Sequence, residues 1–222
     1  MHSTQYAQIL GQYAHGCVFC SPDESLAFTQ RERFGVLFDV SPLVPGHLII
    51  YSREHHGCAG EVPREDVAEL DALRQEIKQL VRSRFGAATL YEHGRAGHCL
   101  SDGPEHRLCH HFHLHCLPGD VDVSDRLVGR FDRVMLAGYG EITDAYEQFG
   151  DYLYLETDDD RQLYFVVNHS IERHLMRTLI SERIGHAERA NWRDFGDVNL
   201  LVEGMDALRR DETSVSVVSG RR

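Results

Sequence analysis

The most informative segment of this 222-residue chain is Leu108-Cys109-His110-His111-Phe112-His113-Leu114-His115-Cys116-Leu117-Pro118. Read as a β-strand, it places His111, His113 and His115 on one face, because successive side chains point to opposite faces. Same-face Cα atoms lie about 6.5–7 Å apart in a strand, and Pro118 marks its end. Three neutral imidazoles in a row suit metal ligation, proton transfer or nucleophilic attack and add little to a core. We interpret the row as a functional site.

Composition predicts a globular protein. Hydrophobic residues make up 42% of the chain and charged residues 26%, and this length can bury a sizeable core. No apolar run approaches about 18 residues, so we expect no membrane span. The first residues lack the basic and apolar regions of a secretion signal, which predicts a cytoplasmic protein. A net charge of -12 argues against nucleic acid as a partner, whereas a small anionic ligand can still bind at imidazoles or helix N-termini.

The six cysteines predict a metal site or catalysis more than disulfides, given the expected compartment. Cys17-Val18-Phe19-Cys20 is the one pair with ligand spacing. The other four cysteines are interpreted as ordinary thiols.

Hydrophobic periodicity divides the chain near Pro118. Before it, strand-like runs at 25–30, 34–40, 47–51 and 87–92 surround an amphipathic helix from Pro63 to Phe85. After it, the pattern predicts helices over 124–135, 170–184 and 198–210, and a hairpin with strands at 152–156 and 162–167. We therefore expect a core over 1–118, an extension over 119–210 that packs on the core, and a disordered tail over 211–222.

The motifs resemble those of the histidine triad (HIT) superfamily, whose hallmark is His-x-His-x-His-x-x with apolar residues at x. Here it reads His111-Phe112-His113-Leu114-His115-Cys116-Leu117. The segments 34–42 and 45–50 resemble the paired strands around that family's Asp-x-Ser-Pro and Gly-His motifs. The resemblance covers residues 17–118, about half of the chain. It implies an α+β, HIT-like fold, with a mostly antiparallel sheet flanked by helices, an α+β C-terminal extension, and a homodimer.

The resemblance also implies chemistry on a nucleotide. The first hypothesis is a hydrolase that cleaves a nucleoside monophosphate from a second group, such as a dinucleoside polyphosphate, a nucleotide sugar or a phosphoramidate. His113 would be the nucleophile of a covalent intermediate, with His115 and His47 lining the α-phosphate pocket. The alternatives are a nucleotidyltransferase or phosphorylase that passes the nucleotidyl group to phosphate or a metabolite, and a nucleotide-binding protein without turnover. A His at the last triad position is typical of the hydrolase-like branches.

Further residues are assigned to nucleotide binding by the same resemblance. Asp39 would accept the ribose hydroxyls, and three apolar residues would wall the base, although each could equally belong to the core. These are Phe19, Leu37 and Val40. Glu92-His93-Gly94 stands where the commonest family pattern has Asn-x-Gly. A carboxylate repels phosphate unless it is protonated or paired, so we expect Arg107 or Arg95 to compensate for Glu92.

Some members of the superfamily carry a zinc held by a CxxC, a later His and the first triad His. The corresponding residues here are Cys17, Cys20, His55 and His111. Two thiolates and two imidazoles form a closed tetrahedral site, so the predicted Zn²⁺ is structural. His56 and His110 are rivals displaced by one position, and the pleat disfavours His110.

Overall fold

The computed structural model describes residues 1, 3–12, 17–96, 111–192 and 195–209, and for Leu10 and Gln12 it describes the backbone alone. Its central feature is an eight-stranded sheet in the order β1-β2-β3-β5-β4-β7-β8-β6, in which every paired strand is antiparallel to its neighbours. The strands are β1 (Ala27–Gln30), β2 (Phe34–Phe38), β3 (Leu48–Ser52), β4 (Ala88–Gly94), β5 (His113–Pro118), β6 (Asp132–Leu136), β7 (Tyr152–Glu156) and β8 (Gln162–Val166).

Six helices flank this sheet in the described part of the chain. They are α1 (Ser3–Gln12), α2 (Val67–Phe85), α3 (Ser124–Leu127), α4 (Ile142–Phe149), α5 (Leu175–Arg183) and α6 (Val198–Arg209). The predicted α+β class with a mostly antiparallel sheet is confirmed. No helix among the described residues combines the length and the apolarity that crossing a bilayer requires.

Helix α2 covers one face of the sheet. Its buried positions recur every three or four residues, from Val67 and Leu70 to Val81, as an amphipathic helix requires. Gly86 ends the helix in the left-handed conformation, with φ +88°, which glycine adopts without steric cost. Leu114 and Cys116 of β5 belong to the core on this face.

The other face of the sheet carries the imidazoles and packs against α5. Tyr91 and Leu155 share a core here with Met176 and Ile180 of α5. Strand β7 pairs with β4, and β8 and β6 continue the same sheet. The segment beyond Pro118 is therefore built into the sheet of residues 17–118, and the edge of β4 that faces away from β5 is already paired within the chain.

One predicted helix is wrong in part. Residues 124–135 were expected to be helical, but α3 stops at Leu127 and Asp132–Leu136 form β6. Gly129, at φ +88°, turns the chain after a single helical turn. Residues 132–136 then form main-chain hydrogen bonds with β8. This pairing joins segments that are distant in the sequence, so helical periodicity does not reveal it. The predicted tail over 211–222 lies outside the described residues.

Candidate active site and adjacent metal centre

Strand β5 presents His113 and His115 on the face of the sheet opposite α2. Tyr51 of β3 lies opposite His113, whereas Ile49 of β3 and Tyr91 of β4 lie opposite His115. Directly opposed residues of an antiparallel pair share a face, so these side chains surround the imidazoles. Tyr91 stacks on His115 with ring centroids 4.4 Å apart and an interplanar angle of 6°. His111 precedes the strand and is buried.

A backbone contact determines the tautomer of His113. Its Nδ1 lies 2.7 Å from the carbonyl oxygen of His111, and a carbonyl oxygen only accepts, so Nδ1 carries the proton. Nε2 therefore carries the lone pair. Burial lowers the pKa of His113 below its ordinary value, which keeps the ring neutral near pH 7.

His47 and His115 form a second hydrogen-bonded pair. The backbone N–H of Leu43 donates to Nδ1 of His47 at 3.2 Å, which places the proton of His47 on Nε2. That Nε2 lies 3.0 Å from Nδ1 of His115 and donates to it. His115 consequently keeps its own proton on Nε2. The site thus offers a lone pair on His113 and an N–H donor on His115, with ring centroids 5.1 Å apart.

Burial keeps this pair uncharged as well. It lowers the pKa of His47 to about 4, against the attraction of Asp39, while the positive charge of Arg177 lowers it further. The pKa of His115 is also well below its ordinary value, first because of burial and then because of His47 and His113. His47, His113 and His115 are therefore all neutral near pH 7.

Asp39 is buried beside His47, and its carboxylate is hydrogen-bonded and ion-paired within the protein. Its Oδ1 accepts the N–H of Ser41 at 2.8 Å, and its Oδ2 lies 3.2 Å from Nη1 of Arg177 and 3.3 Å from Nδ1 of His47. Arg177 lies on α5, 138 positions away in the sequence. It was not predicted, because a single arginine on a helix carries no local signal of its partner.

Of the three apolar residues assigned to the base pocket, Phe19 contacts an imidazole directly. Phe19 stacks on His113 with centroids 4.8 Å apart and an interplanar angle of 22°. Leu37 of β2 lies opposite Ile49, in the same row of the sheet as His115. Val40 is buried just after β2.

Glu92 lies on the opposite face of the sheet from His115, because the register places Tyr91, its neighbour, beside that histidine. Its carboxyl accepts the N–H of Ala59 at 2.9 Å and the O–H of Tyr152 at 2.9 Å. Burial raises the pKa of Glu92 to about 8. A ligand bound against the imidazoles would be separated from Glu92 by the sheet. Arg107 lies outside the described residues, and Arg95 pairs with Glu61.

The four residues predicted to hold zinc lie together, with their ligand atoms all within 4.8 Å of one another. Sγ of Cys17 is 3.3 Å from Nδ1 of His111, and Sγ of Cys20 is 3.1 Å from Nδ1 of His55. Ligand atoms of a tetrahedral zinc site lie about 3.6 Å apart for sulfur and nitrogen, given bonds of about 2.3 and 2.05 Å. The cluster can therefore hold a metal ion of this size with little rearrangement.

The tautomer of His111 also fits metal binding. Its Nε2 donates to the carbonyl oxygen of Ser52 at 2.6 Å, which leaves the lone pair on the Nδ1 that faces the two thiols. Metal-bound histidines characteristically donate their other ring N–H in this way. His56 does not belong to the cluster, and His110 lies outside the described residues.

No family model matches the chain, and no curated protein matches it either. Solved structures do resemble it. A HIT-like protein from Bartonella henselae is 16% identical, with a TM-score of 0.34 over 51% of this chain and 74% of that one. A HIT family hydrolase from Clostridium thermocellum is 21% identical, with a TM-score of 0.33 over 49% of this chain and 94% of that one. Yeast Ap4A phosphorylase is 12% identical, with a TM-score of 0.44 over 84% of this chain and 83% of that one.

All three structures are less than 25% identical to this chain and superpose on it with TM-scores below 0.5.

Proposed function

We propose that this chain is a HIT-superfamily enzyme that transfers a nucleotidyl group onto His113 and then to water. The observation that carries the proposal is the pair of complementary imidazoles. The neutral ring of His113 has a lone pair on Nε2, whereas the ring of His115 has a proton on Nε2 and can donate a hydrogen bond. A nucleophile beside a positioned donor is the arrangement that covalent catalysis on a phosphoryl group needs.

In the first step, Nε2 of His113 attacks the α-phosphorus. In a polyphosphate or a nucleotide sugar, the bond from phosphorus to the leaving-group oxygen breaks, and that oxygen departs with the bonding pair. In a phosphoramidate the leaving atom is nitrogen, which keeps the bonding pair and takes a proton from solvent. The ring of His113 becomes cationic, since Nδ1 keeps its proton while Nε2 bonds to phosphorus. The N–H of His115 stabilises the charge on the phosphoryl and leaving oxygens by hydrogen bonding.

In the second step, water attacks the same phosphorus and the P–N bond breaks. Its electron pair returns to Nε2, and the proton of the water is released to solvent. The products are the nucleoside monophosphate and the free leaving group. Phosphate or a metabolite in place of water would make the enzyme a phosphorylase or transferase.

We also propose that Cys17, Cys20, His55 and His111 hold a structural Zn²⁺. Four protein ligands leave no position for water or substrate, so such an ion would stabilise the fold of the CxxC segment. Phe19, between the two cysteines, would thereby be held against His113. Leu37 and Val40 complete the proposed wall of the base pocket, and Glu92 is left out because it lies behind the sheet.

The test is to trap the intermediate. The protein is incubated with diadenosine or diguanosine polyphosphates, nucleotide sugars and nucleoside phosphoramidates, quenched, and examined by peptide mass spectrometry. We expect a nucleotidyl group on His113, and a fall in turnover of several decades in His113→Ala with nucleotide binding retained. His115→Asn should still form the adduct, about 10²- to 10³-fold more slowly.

Comparing water with added phosphate or sugar phosphates as acceptors separates hydrolysis from transfer. Nucleotide binding with neither turnover nor adduct in the wild-type protein would instead identify a binding protein and overturn the proposal.

A further inference from the structure

We infer that Arg177 is a positioning residue that keeps the His47–His115 pair neutral and in its working tautomer. This inference rests on the proposed function for its catalytic meaning. Its structural basis is a single ion pair: Nη1 of Arg177 lies 3.2 Å from Oδ2 of Asp39, and both side chains are only 6% exposed.

The position of Asp39 creates the need for a counter-charge. The same oxygen, Oδ2, lies 3.3 Å from Nδ1 of His47 and 3.8 Å from Nδ1 of His115. An uncompensated carboxylate this close would favour a proton on Nδ1 of His47. The N–H of Leu43 could then no longer donate to that nitrogen. The chain of hydrogen bonds in which Leu43 donates to His47 and His47 donates to His115 would be lost.

Further hydrogen bonds hold the guanidinium of Arg177 beside Asp39. Its Nη2 donates to the carbonyl oxygen of Ser41 at 2.5 Å, and its Nε donates to the carbonyl oxygen of Arg189 at 3.1 Å. Arg189 in turn donates to the carbonyl oxygen of Leu43 at 2.6 Å. The fork of the guanidinium therefore binds the loop between Asp39 and His47 to the C-terminal segment, a geometry that lysine cannot reproduce.

The groups facing His47 are few in the described part of the chain. They are Asp39 on its own loop, His115 on β5, Tyr91 on β4 with its ring centroid 6.3 Å away, and Arg177 on α5. Arg177 is the one permanent cation among them, so the balance of charge around His47 depends on it.

The experiment measures the imidazoles directly. Ring ¹⁵N and ¹H NMR signals of His47 and His115 are followed from pH 4.5 to 8 in ligand-free, metal-loaded protein. In the wild type we expect a neutral His47 with its proton on Nε2 down to pH 5. In Arg177→Met, which removes the charge and keeps much of the volume, the pKa of His47 should rise by at least one pH unit. Arg177→Lys should reverse most of that rise.

Two further variants separate charge from a general loosening of the site. In Asp39→Asn/Arg177→Met both charges are absent, so the pKa of His47 should fall back toward the wild-type value. If the substitution had instead loosened the site and admitted water, the pKa of His47 would stay high in the double variant, because the imidazole would no longer be desolvated. Arg183→Met, on the exposed face of the same helix, should change nothing. An unchanged His47 titration and tautomer in folded Arg177→Met would overturn the inference.

Activity is a separate readout. If the wild-type protein turns over nucleotides, the acid limb of its pH profile for kcat/KM should move to higher pH in Arg177→Met. If it turns over none, the proposed function fails while the NMR titration still decides the role of Arg177.

Discussion

The imidazole of His113 donates from Nδ1 to the carbonyl oxygen of His111 at 2.7 Å, while the ring of His111 turns its own Nδ1 toward Cys17 and Cys20. One residue thus orients the proposed nucleophile through its backbone and belongs to the Cys/His cluster through its side chain. Order in the cluster and order at His113 are therefore coupled through His111.

Metal content provides the first prediction. Protein purified without chelators should contain about one zinc per chain by elemental analysis, and a strong chelator should lower its melting temperature. His55→Ala and Cys20→Ser should each lose the metal and melt earlier, because a structural ion contributes folding free energy. His56→Ala is the matched control, since the neighbouring imidazole lies outside the cluster. Full metal content in His55→Ala would refute this ligand set.

The buried carboxyl of Glu92 predicts a pH dependence of stability. Burial raises its pKa to about 8 in the folded protein, compared with about 4.3 in an unfolded chain. Between these values the folded state holds a proton that the unfolded state has released. The free energy of unfolding should therefore fall as pH rises from about 4.5 to 8, by at most about 1.4 kcal/mol per pH unit from this group.

Glu92→Gln should remove that slope, measured by urea unfolding at several pH values. Glu76→Gln, at an exposed pair with Arg31, should keep it. Equal slopes in the wild type and Glu92→Gln would show that Glu92 is ionised when folded.

A buried ion cluster joins α2 to β7. Both carboxylate oxygens of Glu156 lie 2.6 Å from Nη1 of Arg74, and Oε1 lies 2.8 Å from Nζ of Lys78. Glu156→Gln leaves two buried cations with less negative charge. We expect a loss of about 3 kcal/mol, the low end for breaking a buried pair, because Asp71 and Asp160 still pair with the cations.

Chemical denaturation measures this loss. Glu182→Gln, which removes only an exposed pair with Arg126, should leave the unfolding midpoint in place. If Glu156→Gln lowers the free energy of unfolding no more than Glu182→Gln does, the ion cluster makes no net contribution to stability.

Helix α6 packs on the loop before His47 through a glycine. A Cβ at Gly204 would fall well inside van der Waals contact with the backbone nitrogen of Gly46, and 3.0 Å from its Cα. Gly204→Ala should therefore cost about 1–3 kcal/mol by overpacking. Gly11→Ala, in helix α1 with nothing within 4 Å of the new methyl, should instead stabilise the protein by about 0.5–1 kcal/mol. Thermal melting compares the two, and a neutral Gly204→Ala would mean that α6 is not tightly seated.

Local patterns made some features predictable. Alternation alone placed His113 and His115 on one face, and helical spacing located α2 and α6. The β7–β8 hairpin followed from two strand-like runs around a turn. In each case the signal lies within a few neighbouring residues, where backbone geometry dictates which side chains share a face. Residues 124–135 show the limit of this reasoning, because pairing with a distant strand overrode a weak helical pattern.

The sequence by itself determined the row of imidazoles and the CxxC spacing, because both depend on positions a few residues apart. Only the tertiary structure decided that Glu92 lies behind the sheet, since this depends on the register of β4 against β5. It also decided that Arg177 joins Asp39 across 138 positions. Contacts between distant segments depend on how the whole chain packs. The sequence around an isolated arginine on a helix therefore does not indicate which carboxylate it will pair with.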